Sequence, residues 1–136
     1  MQSTVWTKVE DVATREPVIV PPQMSLRVAT GVMAQQSIGA LVVAVDRRTV
    51  GILSERDVVN ALASGADPDE TTVAGAMSHD VVSIRPDDTF YDAAVDMLDL
   101  GIRHVPVLDE RGAVLGMVSV RDLLRPLLTA SLEHRR

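Results

Sequence analysis

Cysteine is absent from this chain of 136 residues, which excludes disulfides and thiolate chemistry. Aromatic residues are almost absent, with one Trp, one Tyr and one Phe. A core must therefore be built from Val, Ile, Leu, Met and Ala, and few rings remain on which nucleic-acid bases could stack. Basic charge is in deficit: 13 Lys and Arg stand against 19 Asp and Glu, a formal charge of −6. That balance makes nucleic acid an unlikely partner, since such binding needs clustered cations, although a local basic pocket is compatible with it. Long apolar runs are missing too. The longest, Ala40 to Val45, is far too short to span a bilayer. The opening residues, MQSTVWTKVED, lack the charged and apolar regions of a signal peptide. These features predict a soluble, cytoplasmic protein with no membrane partner. With three histidines and no cysteine, the sequence offers no nucleophile–base–orienter set and no metal-ligand cluster. The pair His79-Asp80 is only a weak hint of metal, so neither catalytic nor metal-binding residues are assigned.

What the chain does have is apolar residues, 46% against 24% charged, the balance of a folded globular chain. It also has an internal repeat, the feature that must be sought before any fold is assigned. Shifted by 64 positions, the two halves align without a gap for about thirty residues. Val18 and Val20 then fall on Val82 and Ile84, Pro22 on Pro86, Ala29 on Ala93, Met33 on Met97 and Ile38 on Ile102. After one extra residue near Gly112, the heptad GILSERD (51–57) returns as GMVSVRD (116–122). Half of this chain would bury too little surface to be stable alone, so two copies sharing one core are expected.

Each copy reads alike. VIV (18–20) and VVSI (81–84) are short β-branched strands, ended by Pro22 and Pro86. Ser25 and Thr89 are N-cap candidates. Leu26, Ala29, Val32 and Met33 then recur at helical spacing, as do Phe90, Ala93, Met97 and Leu98. ALVVAV (40–45) and VPVL (105–108) read as buried strands that should place Leu41, Val43, Val105 and Val107 in sheets. Each is joined by a polar turn, DRRT or DERG, to a hairpin partner. A last helix follows from about Arg56 to Ser64, with Gly65 as its stop, and from about Arg121 onward, where Pro126 should kink or shorten it. The fold class is therefore α/β (α+β), two β-α-β-β-α repeats about a pseudo-twofold axis. The first repeat spans 8–64, a polar linker 65–71, the second repeat 72–128 and a tail 129–136. Thr7 with Glu10 could form a capping box.

The heptad admits two readings. Ser54 with Asp57, and Ser119 with Asp122, stand at strand-to-helix junctions with the spacing of a helix cap. The same geometry suits a nucleotide. A helix N-terminus offers unpaired N–H groups to a phosphate, a serine hydroxyl can add a donor, and an ionised Asp accepts hydrogen bonds from a vicinal diol. Arg56 and Arg121 could neutralise phosphate or sit as solvated surface cations. Arg103 and His104 place basic groups before the strand of the second copy, where the first has Gly39 and Ala40. They could equally pair with an acid and fill a rim.

Together these features resemble a tandem pair of CBS domains, the Bateman module. The segment AMSHDVVSIRPDDTFYDAAVDMLDLGIRHVPVLDERGAVLGMVSVRDLL (76–124) is similar to one CBS motif along its whole length, and 12–59 is similar with small departures. The resemblance implies ligand-binding clefts in which Ser54 and Ser119 meet phosphate and Asp57 and Asp122 meet ribose. Adenine would lie against Val18 and Ile38, or against Val82 and Ile102, and Arg103 with His104 would hold phosphates. Arg15 and Glu16 before the first strand, and the Gly39-Ala40 pair, depart from the pattern and favour the second site.

The implied function is a regulatory module sensing an adenosine-containing ligand: AMP, ADP, ATP, S-adenosylmethionine or NAD, with no obligatory cofactor. Its partners would be a second copy, in a disc-like homodimer, and an unidentified regulated protein. Met33, Met97 and Leu98 are candidates for the dimer face, because Met adapts to interfaces. The alternative is a ligand-free structural module that dimerises or binds a partner.

Overall fold

Two patches of alternating strand and helix, each with its own buried cluster, make up the computed structural model, which describes residues 6–11, 15–125 and 128.

The first unit comprises Pro17–Val81 with Arg111–Val114. Its elements are β1 (Ile19–Val20), α1 (Leu26–Gln36), β2 (Ala40–Val45), β3 (Arg48–Ser54), α2 (Glu55–Ala63) and the single turn α3 (Val73–Ala76). The sheet order is β1-β2-β3. β1 runs parallel to β2 through Ile19↔Val42 and Val20↔Val43, and β2 is antiparallel to β3. Ser25 caps α1 by accepting the Val28 N–H at 3.2 Å. Helical spacing then turns Leu26, Ala29 and Met33 inward, where they meet Leu41, Val43, Leu53, Val73 and Met77. Gly51, the first residue of the heptad, lets Met77 pack close: a Cβ there would run into the Met77 sulfur and force that side chain to shift. α2 stops at Ser64, and Gly65 follows with φ 89°, a conformation cheap only for glycine.

The β2–β3 hairpin closes over two residues, Asp46 and Arg47, with φ of 49° and 67°. Two positive φ values match the twist of the flanking strands, but that turn favours Asn-Gly or Asp-Gly. Arg47 carries a Cβ into the left-handed region, and Arg47→Gly should stabilise the protein by about 0.5–1 kcal/mol. A rise in the urea midpoint at unchanged slope is the expected result; a fall would show that the Arg47 side chain contributes more than the strain it brings.

The stretch between the repeats is tied to α1 by hydrogen bonds. The Leu26 N–H donates to the Thr71 carbonyl at 2.8 Å and that of Arg27 to the Pro68 carbonyl at 3.0 Å, so this segment satisfies the open N-terminus of α1. The Arg27 guanidinium also pairs with Asp69. That hydrogen bond holds the Asp69 carboxyl below its usual range. Both groups are exposed, so the pair adds little, and what it adds is lost as pH falls through the lowered carboxyl range.

The second unit comprises the described residues of Met1–Glu16, Val82–Glu110 and Leu115–Arg136. It contains a 3-10 turn (Val9–Asp11), α4 (Phe90–Leu100), β4 (His104–Leu108), β5 (Val114–Ser119, save its first residue) and α5, whose described residues are 120–125 and 128. β4 and β5 pair in a two-stranded sheet. α4 starts at a full capping box of Thr89 and Asp92 and ends at Gly101 in the left-handed conformation. Phe90, Ala93 and Met97 turn inward onto Val105, Val107, Val118 and Leu123, with Val9 and Ile84 completing the cluster.

Four expectations are corrected. The halves do not share one core: the buried residues form two clusters, one per unit. The reason lies in the leading segments. Val9 joins the cluster of the second repeat, while Val73 and Met77 join that of the first, so each core gains side chains that its own copy does not supply. Met33 and Met97 are buried in these clusters, at 6% and 4% exposure, and are not surface residues; Leu98, at 82%, is. Residues 81–84 do not form a strand. Only Ile84 bridges to Val107, because the counterpart of Val42, whose N–H donates to the Val18 carbonyl at 3.0 Å, is Pro106, which has no N–H. Near Thr7, finally, the chain makes the Val9–Asp11 turn, and the Glu10 N–H donates to the Pro86 carbonyl at 3.2 Å where a capping box would need it on the Thr7 hydroxyl. Pro126 and the tail 129–136 lie outside the described residues.

Candidate functional site

Each heptad is a strand-to-helix junction. In the first unit β3 ends at Ser54, and Ser54 is the N-cap of α2. The Asp57 N–H donates to Ser54 Oγ at 3.2 Å. In return, Asp57 Oδ2 accepts the Ser54 N–H at 2.9 Å and the Ser54 hydroxyl at 3.0 Å. The second unit repeats this at Ser119 and Asp122, with distances of 3.2, 2.9 and 2.9 Å. The capping reading of the sequence is therefore realised twice. It engages one carboxylate oxygen, Oδ2, and directs the serine proton to that oxygen.

The other oxygen differs between the units. Asp57 Oδ1 accepts the Ser78 hydroxyl at 3.0 Å, and Asp57 is half-buried. Asp122 Oδ1 accepts from Arg15 Nε at 3.0 Å. Asp122 is 1% exposed, the one polar or charged residue among the described residues that is fully buried, while the Arg15 side chain stays 46% exposed. A buried carboxylate needs such a partner, since an uncompensated charge away from water is very unfavourable. Sequence reasoning noted Arg15 only as a departure and missed Ser78.

The first turn of each helix also meets a carbonyl. The Glu55 N–H donates to the Gly39 carbonyl at 3.0 Å, and the Val120 N–H to that of Arg103 at 2.9 Å. The residues before β2 and β4 are thus fixed against the helix starts, and with them the neighbouring side chains named from the sequence. Val18 and Ile38 pack partly buried against the first cluster and Ile102 against the second. Val82 is half-buried in the second unit. Arg56, Arg103 and Arg121 are exposed, and His104 is half-buried at the start of β4. Ser54, Arg56, Asp57, Val18 and Ile38 therefore belong to one unit, and Ser119, Arg121, Asp122, Ile102, Arg103, His104 and Val82 to the other. Among the described residues no three His, Asp or Glu side chains gather as metal ligands, and no helix is long and apolar enough to cross a membrane.

This architecture is that of the CBS domain, whose family model matches residues 9–64 and 73–129; the chain belongs to that family, as a tandem pair. It is 40% identical over 123 residues to an uncharacterised 17.7 kDa protein of Acidianus ambivalens, covering 90% of this chain and 74% of that one. Among solved structures it resembles the CBS domain protein PAE2072 from Pyrobaculum aerophilum complexed with AMP, at 27% identity and a TM-score of 0.82, covering 91% of this chain and 97% of that one. It also resembles the CBS domain pair of protein MJ0100 in complex with 5′-methylthioadenosine and S-adenosyl-L-methionine, at 25% identity and a TM-score of 0.83, covering 91% and 98%.

Proposed function

We propose that this protein is a regulatory module that binds an adenosine-containing ligand at its two serine–aspartate junctions. The observation that carries the reading is the doubled junction itself. Each presents a helix N-terminus for an anion and, in its first turn, a carboxylate whose Oδ1 lies outside the cap, accepting from Ser78 in one unit and Arg15 in the other, an acceptor that suits a ribose hydroxyl. Each unit also carries apolar residues for a base, Val18 with Ile38 in one and Val82 with Ile102 in the other, and Arg56, Arg121, Arg103 and His104 supply basic groups for phosphate. The ligands carried by the similar structures support the same class: AMP in one, 5′-methylthioadenosine and S-adenosylmethionine in the other. ADP, ATP and NAD share its adenosine half.

The role is regulatory rather than catalytic, with repeats at 8–64 and 72–128, a homodimeric state, a cytoplasmic setting and a regulated protein as downstream partner. Ligand would act by binding one state of the module better than another. Thermal shift tests this directly. A ligand that binds only the folded state raises the melting temperature, so AMP at 100 times its Kd should add about 2.7 kcal/mol of apparent stability. A panel of AMP, ADP, ATP, S-adenosylmethionine and NAD that leaves the melting temperature unmoved at millimolar concentration would overturn the reading in favour of a ligand-free scaffold.

A further inference from the structure

The two junctions are built on the same plan, and the plan includes a third residue. In the first unit Ser78 pairs with Ile52, two residues before the capping serine: the Ser78 N–H donates to the Ile52 carbonyl at 2.9 Å and the Ile52 N–H to the Ser78 carbonyl at 3.1 Å. In the second unit Arg15 pairs in the same way with Met117, two residues before Ser119, at 2.9 and 3.0 Å. Each of these residues then turns its side chain onto Oδ1 of the junction aspartate. Ser78 and Arg15 are therefore equivalent by position and by contact, but one offers a neutral hydroxyl and the other a guanidinium.

That difference changes what each carboxylate can accept. The Ser78 hydroxyl is a single-bond rotor on an exposed residue. It can turn aside and leave Oδ1 of a still-charged Asp57 to a ribose hydroxyl. Arg15 is a cation held against a carboxylate that is out of water, so moving it aside exposes a buried charge. We infer that Arg15 is a latch on the second junction: it occupies the ribose-accepting oxygen of Asp122, makes that site the weaker of the two, and must swing away before a nucleoside can bind there. The inference rests on the adenosine-binding reading above and reverses the preference for the second site drawn from the sequence.

AMP is the probe, and calorimetric titration is the measurement. In an Asp57→Ala background, which removes the carboxylate from the first junction, residual AMP binding reports the second. Adding Arg15→Ser, the residue that the equivalent position carries in the other unit, should tighten that binding about tenfold, the value of one charge-assisted hydrogen bond lost from the competing state. The reverse swap, Ser78→Arg in the parent, should weaken the first site by a similar factor. It needs no loss of a buried ion pair, so it stays informative if Arg15→Ser folds poorly. Melting followed by far-UV dichroism confirms that each variant is folded. If the parent binds AMP but neither swap moves its site in the stated direction, the latch is overturned and the adenosine reading stands. An Arg15→Ser variant that binds more weakly shows that the guanidinium assists the ligand, and it too overturns the latch. If only the Arg15→Ser forms bind AMP, the latch holds and the parent is not a sensor of this ligand. Silence in every variant removes both.

Discussion

Asp57→Ala should weaken AMP binding at the first junction by tenfold to a hundredfold while lowering stability by no more than about 2 kcal/mol. The two halves of that expectation come from the two oxygens of one carboxylate. Oδ2 accepts the Ser54 N–H and hydroxyl and so serves the helix cap, whose removal costs about 0.5–2 kcal/mol. Oδ1 faces the Ser78 hydroxyl and is the oxygen a ribose would use. One hydrogen bond to a charged acceptor contributes about 1.5–3 kcal/mol, which is the stated range in Kd. Had both oxygens been open, as the sequence suggests, the loss would be larger; half of the carboxylate already belongs to the helix. Calorimetric titration and a urea curve on the same sample separate the contributions. Asp57→Ala that loses stability yet binds AMP like the parent would assign the heptad to capping alone, and Asp57→Asn, which keeps an uncharged acceptor oxygen, should fall between the two in affinity.

The repeat made most of this legible. Helical periodicity located α1 and α4, because Leu26, Ala29 and Met33, or Phe90, Ala93 and Met97, leave little choice of buried face, and apolar runs joined by a polar turn located β2 and β3. The junction serines and aspartates could be named because a cap and an anion site need the same residue types at the same spacing. What escaped was set by contacts distant in sequence. An offset of 64 lays Arg15 on His79, one place from its structural equivalent Ser78, so the contact with Asp122 has no trace in the alignment. The loss of a strand at 81–84 was present in the sequence as Pro106. It became readable only once β1 was seen to depend on the Val42 N–H. Separate cores were hidden for a related reason: Val9, Val73 and Met77 complete clusters built from residues far along the chain.

The second large effect concerns one of those cores. Phe90 is 1% exposed and is the only aromatic side chain in the buried clusters, where the rest of the packing is aliphatic. Truncation to alanine removes a whole ring from a cluster in which Val9, Ile84, Ala93, Val105, Val107 and Val118 are small or β-branched and refill space poorly, leaving Met97 and Leu123 as its flexible members. The expected loss for Phe90→Ala is therefore about 3–5 kcal/mol, a large share of the 5–15 kcal/mol typical of a domain. Its counterpart, Leu26, is equally buried in the first unit, and Leu26→Ala should lose about 2–5 kcal/mol. Two probes distinguish the units. Trp6, the only tryptophan, stacks on Tyr91 with ring centroids 5.5 Å apart, so its fluorescence follows the second unit, whereas far-UV dichroism follows the whole chain. In Phe90→Ala the fluorescence midpoint in urea should move down by the full amount. If the dichroism midpoint moves with it, the two clusters unfold as one cooperative system. If dichroism keeps a component at the parental midpoint, the clusters are independent in stability as well as in packing. A loss below about 1 kcal/mol would show that Phe90 is not the keystone of its cluster and that its surroundings collapse onto the space it leaves.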